Sequence, residues 1–185
     1  MSTGEAEYCP DCRRRKHLYT RGRAAFEYDS VMKESISRFK YKNRREYGDF
    51  YVQEILKSCE EAVRSWNIDL IVPIPLHKSR RRKRGFNQAE LIAQKLGKGL
   101  GIPVSPNALF RVRKTKPQKE LNDQERKSNL KEAFRTGKQD LEFKKILLID
   151  DIYTTGSTID AAASVLLDHG AEKVYFLSIS IGRGY

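Results

Sequence analysis

The chain has 185 residues, enough for one good hydrophobic core and a small appendage. Its hydrophobic content of 39 % excludes a disordered or fibrous class, and no apolar run approaches the roughly 20 residues that span a bilayer. Against 24 Asp and Glu stand 36 Lys and Arg, a net +12 that favours polyanions, whether nucleic acid or phosphorylated small molecules, without choosing between them. Residues 1–23 are polar and basic and hold no leader-like apolar stretch, so the expected location is the cytoplasm, with no membrane partner.

Near the start, Cys9 and Cys12 form a C-x-x-C, a spacing suited to half of a zinc knuckle. His17 is a candidate third ligand, though it stands among basic residues, and no fourth is visible. Zn²⁺ is therefore expected only if the missing half is supplied. Ala24–Tyr28 reads as a short strand, and Met32, Ile36 and Phe39 mark an amphipathic helix. Val52, Ile55, Leu56, Cys59, Val63 and Trp66 form a longer helical stripe, in which Cys59 reads as a small core hydrophobe. Ile68–Val72 is apolar and β-branched, a first core strand that Pro73 and Pro75 must end.

Lys78, Arg80, Arg81, Arg82, Lys83 and Arg84 then put six cations into seven residues, expected as a largely solvated basic loop. Asn87 with Glu90 makes a capping box for a helix burying Ala89, Ile92, Ala93, Leu96 and Leu100. Val104 and Leu109–Val112 are short strand candidates, and Arg113–Asn129 reads as a charged loop. Ile146–Ile149 has no polar alternation and reads as a buried parallel strand; Val174–Ile181 is another. Strands alternating with helices argue for a parallel α/β sheet, with residues 24–66 folded over the strand ends as a cap.

Residues 146–158 carry the strongest chemical signal. Asp150 and Asp151 follow the apolar run, and Thr154, Thr155, Gly156, Ser157 and Thr158 lead into a helix with Ile159, Ala162, Ala163 and Leu166 at helical spacing. Ligands of open α/β sheets bind beyond the carboxyl ends of strands, where a helix N-terminus offers N–H groups to a phosphate. Two carboxylates there suit sugar hydroxyls or a hydrated Mg²⁺. Capping would account for one hydroxyl, not for four hydroxyls and two acids. A receiver-type phosphoacceptor fits poorly, since its acidic pair belongs after the first strand.

This segment resembles the phosphoribosyl pyrophosphate (PRPP) signature of type I phosphoribosyltransferases. The resemblance implies that fold: a parallel sheet flanked by helices, with a small N-terminal cap. It implies that Asp150 and Asp151, as the catalytic pair, face the ribose hydroxyls, and that Thr154, Thr155, Gly156, Ser157 and Thr158 wrap the 5′-phosphate. It also implies that Ile74, Pro75, Leu76, His77 and Lys78 hold the pyrophosphate. Val72–His77, Arg84–Ala89 and the spacing Arg111, Thr115, Gln118, Leu121, Arg126, Asn129, Ala133, Phe134 narrow it to the ComF family, as do Ile36, Phe39, Lys40 and Tyr41. The similarity covers roughly residues 9–183.

That family implies a flexible loop bearing Thr115, Gln118, Arg126 and Asn129, and a link to natural transformation and DNA uptake. It typically opens with a four-cysteine zinc module. Here only Cys9 and Cys12 remain, so residues 1–23 are expected to be a remnant, with the first pair before Met1, and residues 24–185 the phosphoribosyltransferase-like domain. The expected activity is transfer of phosphoribosyl from PRPP with Mg²⁺ and release of pyrophosphate. The alternative is a non-catalytic adaptor for single-stranded DNA, for which Tyr41 and Tyr47 beside Lys40, Lys42, Arg44 and Arg45 are candidate contacts.

Overall fold

The structure, a computed structural model, describes residues 16–42, 44–112, 133–137 and 144–182. Its centre is a parallel sheet of β1 (Arg21–Glu27), β2 (Leu70–Pro73), β5 (Lys145–Tyr153) and β6 (Lys173–Ile181), in the order β1-β6-β5-β2. Ile146, Leu147, Leu148 and Ile149 are at most 1 % exposed. Burying each such side chain contributes about 1.5–3 kcal/mol. The run lacks polar alternation because both faces of the sheet are covered.

On one face lie α1 (Ser30–Tyr41), α2 (Tyr47–Ser65) and α4 (Gln88–Leu100). Their Ile36, Phe39, Tyr51, Ile55, Ile92 and Leu96 pack against Leu147, Ile149, Leu177 and Ile179. Cys59 belongs to this cluster and is a free, buried thiol. The other face is covered by α5 (Ser157–Asp168) and by the antiparallel ribbon of β3 (Leu109–Arg111) and β4 (Phe134–Thr136). There Ile159, Ala162, Leu166, Leu109 and Phe134 meet Ile146, Leu148, Val174 and Phe176.

Three local expectations change. The strand expected from Ala24 begins at Arg21 and is an edge of the central sheet, parallel to β6, so a division between residues 23 and 24 falls inside it. The basic run is not a loop: Lys78–Arg84 forms the short helix α3, because His77 Nδ1 accepts from the Ser79 N–H and Gly85, at φ 78°, closes the far end. Asn87 does cap α4, accepting from Ala89 N, but Glu90 does not complete a capping box. It pairs with Arg81 at 3.0 Å, and Asn87 Nδ2 instead donates to the Ile74 carbonyl at 3.0 Å.

Candidate functional site

Strand β5 runs on through both acids to Tyr153, and a turn of only Thr154–Gly156 separates it from α5. Asp29, His77 and Asn87 cap their helices with side chains, yet α5 has Gly156 at its N-cap and no side-chain cap bond. The hydroxyls of Thr155 and Ser157 face each other instead, 2.9 Å apart. The first-turn N–H groups of α5 are thus left for an anion, in a place rich in further donors. Gly156 has φ 72°, and a Cβ there would lie 2.7 Å from the Tyr153 hydroxyl and 3.0 Å from the His17 ring. Only glycine fits.

The turn is held from behind by the segment before β1. His17 Nδ1 lies 2.8 Å from Asp160 in the first turn of α5, and the Leu18 N–H donates to the same carboxylate at 2.9 Å. His17 stacks on Tyr19, whose hydroxyl meets that of Tyr153 at 2.7 Å, and Tyr153 stacks in turn on Phe176. His17, a candidate zinc ligand by sequence, is engaged here by Asp160.

Adjacent residues of a strand point to opposite faces, which separates the two acids. Asp151 meets Lys40 of α1 at 2.8 Å, with the two side chains only 14 % and 17 % exposed. Asp150 accepts the Asp151 N–H at 2.8 Å and is influenced by Arg111 of β3, whose guanidinium lies over the Phe134 ring. Burial, with the negative charge of Asp151, pushes the Asp150 carboxyl from 3.8 up to about 7; the N–H bond, Lys40 and Arg111 oppose this. Burial and then Arg80 pull the Arg111 guanidinium below its ordinary value, while Asp150 acts the other way.

The loop after β2 lies alongside. Pro73 pairs with Ile149, and the Ile74 N–H donates to the Ile149 carbonyl at 2.9 Å, one residue before Asp150. Ile74 is buried, Pro75, Leu76 and His77 are half-buried, and Lys78 opens α3, exposed. His77 holds Ser79 through both backbone and hydroxyl. Arg84 donates to Gln88 and to the Tyr41 hydroxyl, each at 2.9 Å. The structure therefore brings Asp150, Asp151, Thr154–Thr158 and Ile74–Lys78 to one end of the sheet. Thr115, Gln118, Arg126, Asn129, Cys9 and Cys12 lie outside the described residues.

Among the described residues no three His, Cys, Asp or Glu side chains converge on a metal position. Two carboxylates alone fit a Mg²⁺ that keeps water and ligand oxygens for most of its coordination. Sequence reasoning named Lys40 only as one of the cations beside the candidate stacking tyrosines, whereas it meets Asp151, and gave no role to Arg111 or to the His17–Asp160 pair. Arg111 stood out only as part of a family pattern, and nothing in helical periodicity separates Lys40 from any other surface lysine.

Residues 49–179 match the family model described as the phosphoribosyl transferase domain. Over 174 residues the chain is 30 % identical to Competence protein F of Haemophilus influenzae, covering 91 % of this chain and 76 % of that protein. It is 33 % identical over 168 residues to Competence protein ComFC of Bacillus subtilis, covering 88 % and 67 %. The crystal structure of a purine phosphoribosyltransferase from Pyrococcus horikoshii overlays with a TM-score of 0.44 at 12 % identity, covering 74 % of this chain and 86 % of that one. The family match over residues 49–179 defines the class: the chain carries a phosphoribosyl transferase domain. The chain belongs to the ComF family within it.

Proposed function

We propose that the protein binds PRPP with Mg²⁺ and transfers its phosphoribosyl group, releasing pyrophosphate, in a pathway of DNA uptake or use. The observation that carries this is the uncapped N-terminus of α5, surrounded by four hydroxyl side chains and set beside two acids on the preceding strand. Thr154–Thr158 hold the 5′-phosphate through backbone N–H groups and hydroxyls. Asp150 and Asp151 accept from the ribose hydroxyls and fix C1 toward the loop at Ile74–Lys78. In transfer, the bond from C1 to the diphosphate oxygen breaks with its electron pair, and an acceptor nucleophile bonds to C1. The chain orients donor and leaving group for this step. Mg²⁺, held through Asp150 and Asp151 and the ligand's own oxygens, would supply charge neutralisation on the diphosphate. The link to DNA rests on the relatives' names, which refer to competence.

A second reading, a non-catalytic adaptor for single-stranded DNA, is favoured by one observation. Tyr41 is 58 % exposed with the Arg84 guanidinium 4.8 Å over its ring, beside exposed Lys42 and Arg44. Bases stack on such a platform while cations follow the backbone. Tyr47, by contrast, is half-buried against Tyr51 and belongs to the packing. One set of titrations separates the readings. PRPP with Mg²⁺ is expected to bind by calorimetry and to lose binding in Asp150→Asn/Asp151→Asn. No heat with the wild type would end the donor-site reading. Labelled single-stranded DNA whose binding falls steeply with salt and survives the double substitution would support the adaptor.

A further inference from the structure

The last turn of α1 touches both ends of the site. Lys40 reaches Asp151 at 2.8 Å, and the next residue, Tyr41, takes a hydrogen bond from Arg84 at the end of α3, the helix that follows the Ile74–His77 loop. Exposed ion pairs are common on protein surfaces and contribute little. This one is different in kind: an ammonium group largely withdrawn from water against an acid in the pair that precedes the phosphate-binding turn. Removing a lysine head group from solvent is costly unless the partner charge is held in place.

The positive charges are shared between the acids. Lys40 contacts Asp151 directly, and Arg111 acts on the buried Asp150 from the opposite face, with Arg80 close enough to influence Arg111. A site built to hold a bare divalent cation gathers uncompensated carboxylates. Here each carboxylate already has a positive neighbour.

We propose that Lys40 is the charge-balancing residue of the donor site. With Lys40 in place the acidic pair does not retain a divalent cation alone, and metal enters together with the diphosphate oxygens that complete its coordination. Lys40 is thus a specificity determinant, favouring the metal–diphosphate complex over free metal. This rests on the acidic pair being the donor site.

Mn²⁺ titrated without PRPP and followed by electron paramagnetic resonance provides the test. The wild type is expected to bind Mn²⁺ weakly, and Lys40→Met to bind it at least about tenfold more tightly, since a cation near the ion has been removed. Lys40→Arg keeps the charge and should match the wild type. Adding Asp151→Asn to Lys40→Met should abolish the gain. Lys40→Gln, closer to lysine in length and polar, serves if the methionine variant does not fold. Equal affinity in wild type and the neutral variants, or a gain that persists with Asp151→Asn, overturns the assignment. A wild type that fails to bind PRPP while the Mn²⁺ gain occurs overturns the donor reading and leaves the charge balance standing. PRPP binding without any Mn²⁺ gain overturns only the role of Lys40.

Discussion

At the end of β5 the turn Thr154–Gly156 is backed by a continuous stack: His17 on Tyr19, Tyr19 against Tyr153, Tyr153 on Phe176, with His17 and Leu18 both bound to Asp160. At the end of β2, Ile74 is anchored by Asn87 and Ile149, but beyond it the chain enters α3, where Lys78 and Arg80–Lys83 are exposed. The first region fixes backbone donors by packing. The second offers mobile charges on long side chains. Recognition of a 5′-phosphate at the first should therefore depend on shape and survive salt, whereas attraction of a diphosphate at the second should depend on ionic strength.

The most severe way to break this contrast is Gly156→Ala. The alanine must adopt φ 72°, and its Cβ would lie 2.7 Å from the Tyr153 hydroxyl. We expect PRPP and ribose 5-phosphate affinity to fall at least about a hundredfold by calorimetry, with a stability loss of roughly 1–3 kcal/mol. Unchanged affinity would mean that the turn does not hold the phosphate.

Next in size is Asp150→Asn, assayed for stability without ligand. A folded carboxyl at about 7 lies above its ordinary 3.8, so its contribution to stability is fully present below about pH 4 and is lost as pH rises through about 7. Asparagine has no charge to bury. Urea unfolding should show the variant more stable than wild type by roughly 1–3 kcal/mol at pH 8, with the difference gone near pH 4. A variant less stable at pH 8 would show that the ionised acid is well solvated or fully paired.

The smallest effect belongs to Arg82→Ala with Lys83→Ala on exposed α3. Stability should change by no more than about 0.5 kcal/mol. PRPP affinity should fall a few-fold at low salt and match wild type at high salt. A loss independent of salt would place one of these side chains in direct, desolvated contact with the ligand, and would erase the contrast between the two regions.

The fold was legible wherever burial imposes a pattern. The uninterrupted apolar run Ile146–Ile149 signalled a strand covered on both faces, and the stripe from Val52 to Trp66 signalled α2, because each is a direct consequence of packing. The basic segment misled for a physical reason: six cations in seven residues have no apolar face, so nothing marks them as helical except the cap at His77 and the glycine at 85. Glu90 misled because a charged partner elsewhere, Arg81, outcompeted the local backbone. At the site, the strand–turn–helix and its acids were readable since they are contiguous. Lys40 and His17 were not, because each enters from far away in sequence, 111 positions before Asp151 and 143 before Asp160. Contacts of that kind leave no local periodicity.

The position of β1 also bears on the order of assembly. Arg21–Glu27 pairs with Tyr175–Ile181, joining one of the first described segments to one of the last. During synthesis β1 emerges early and must wait for β6 before its parallel partner exists, a closure of long range that slows folding. The clamp of His17 and Tyr19 on Asp160 and Tyr153, at the Thr154–Gly156 turn, lies just before β1 and is placed by the same pairing. On the proposed function, the phosphate-binding turn would therefore be complete only once β6 has paired with β1.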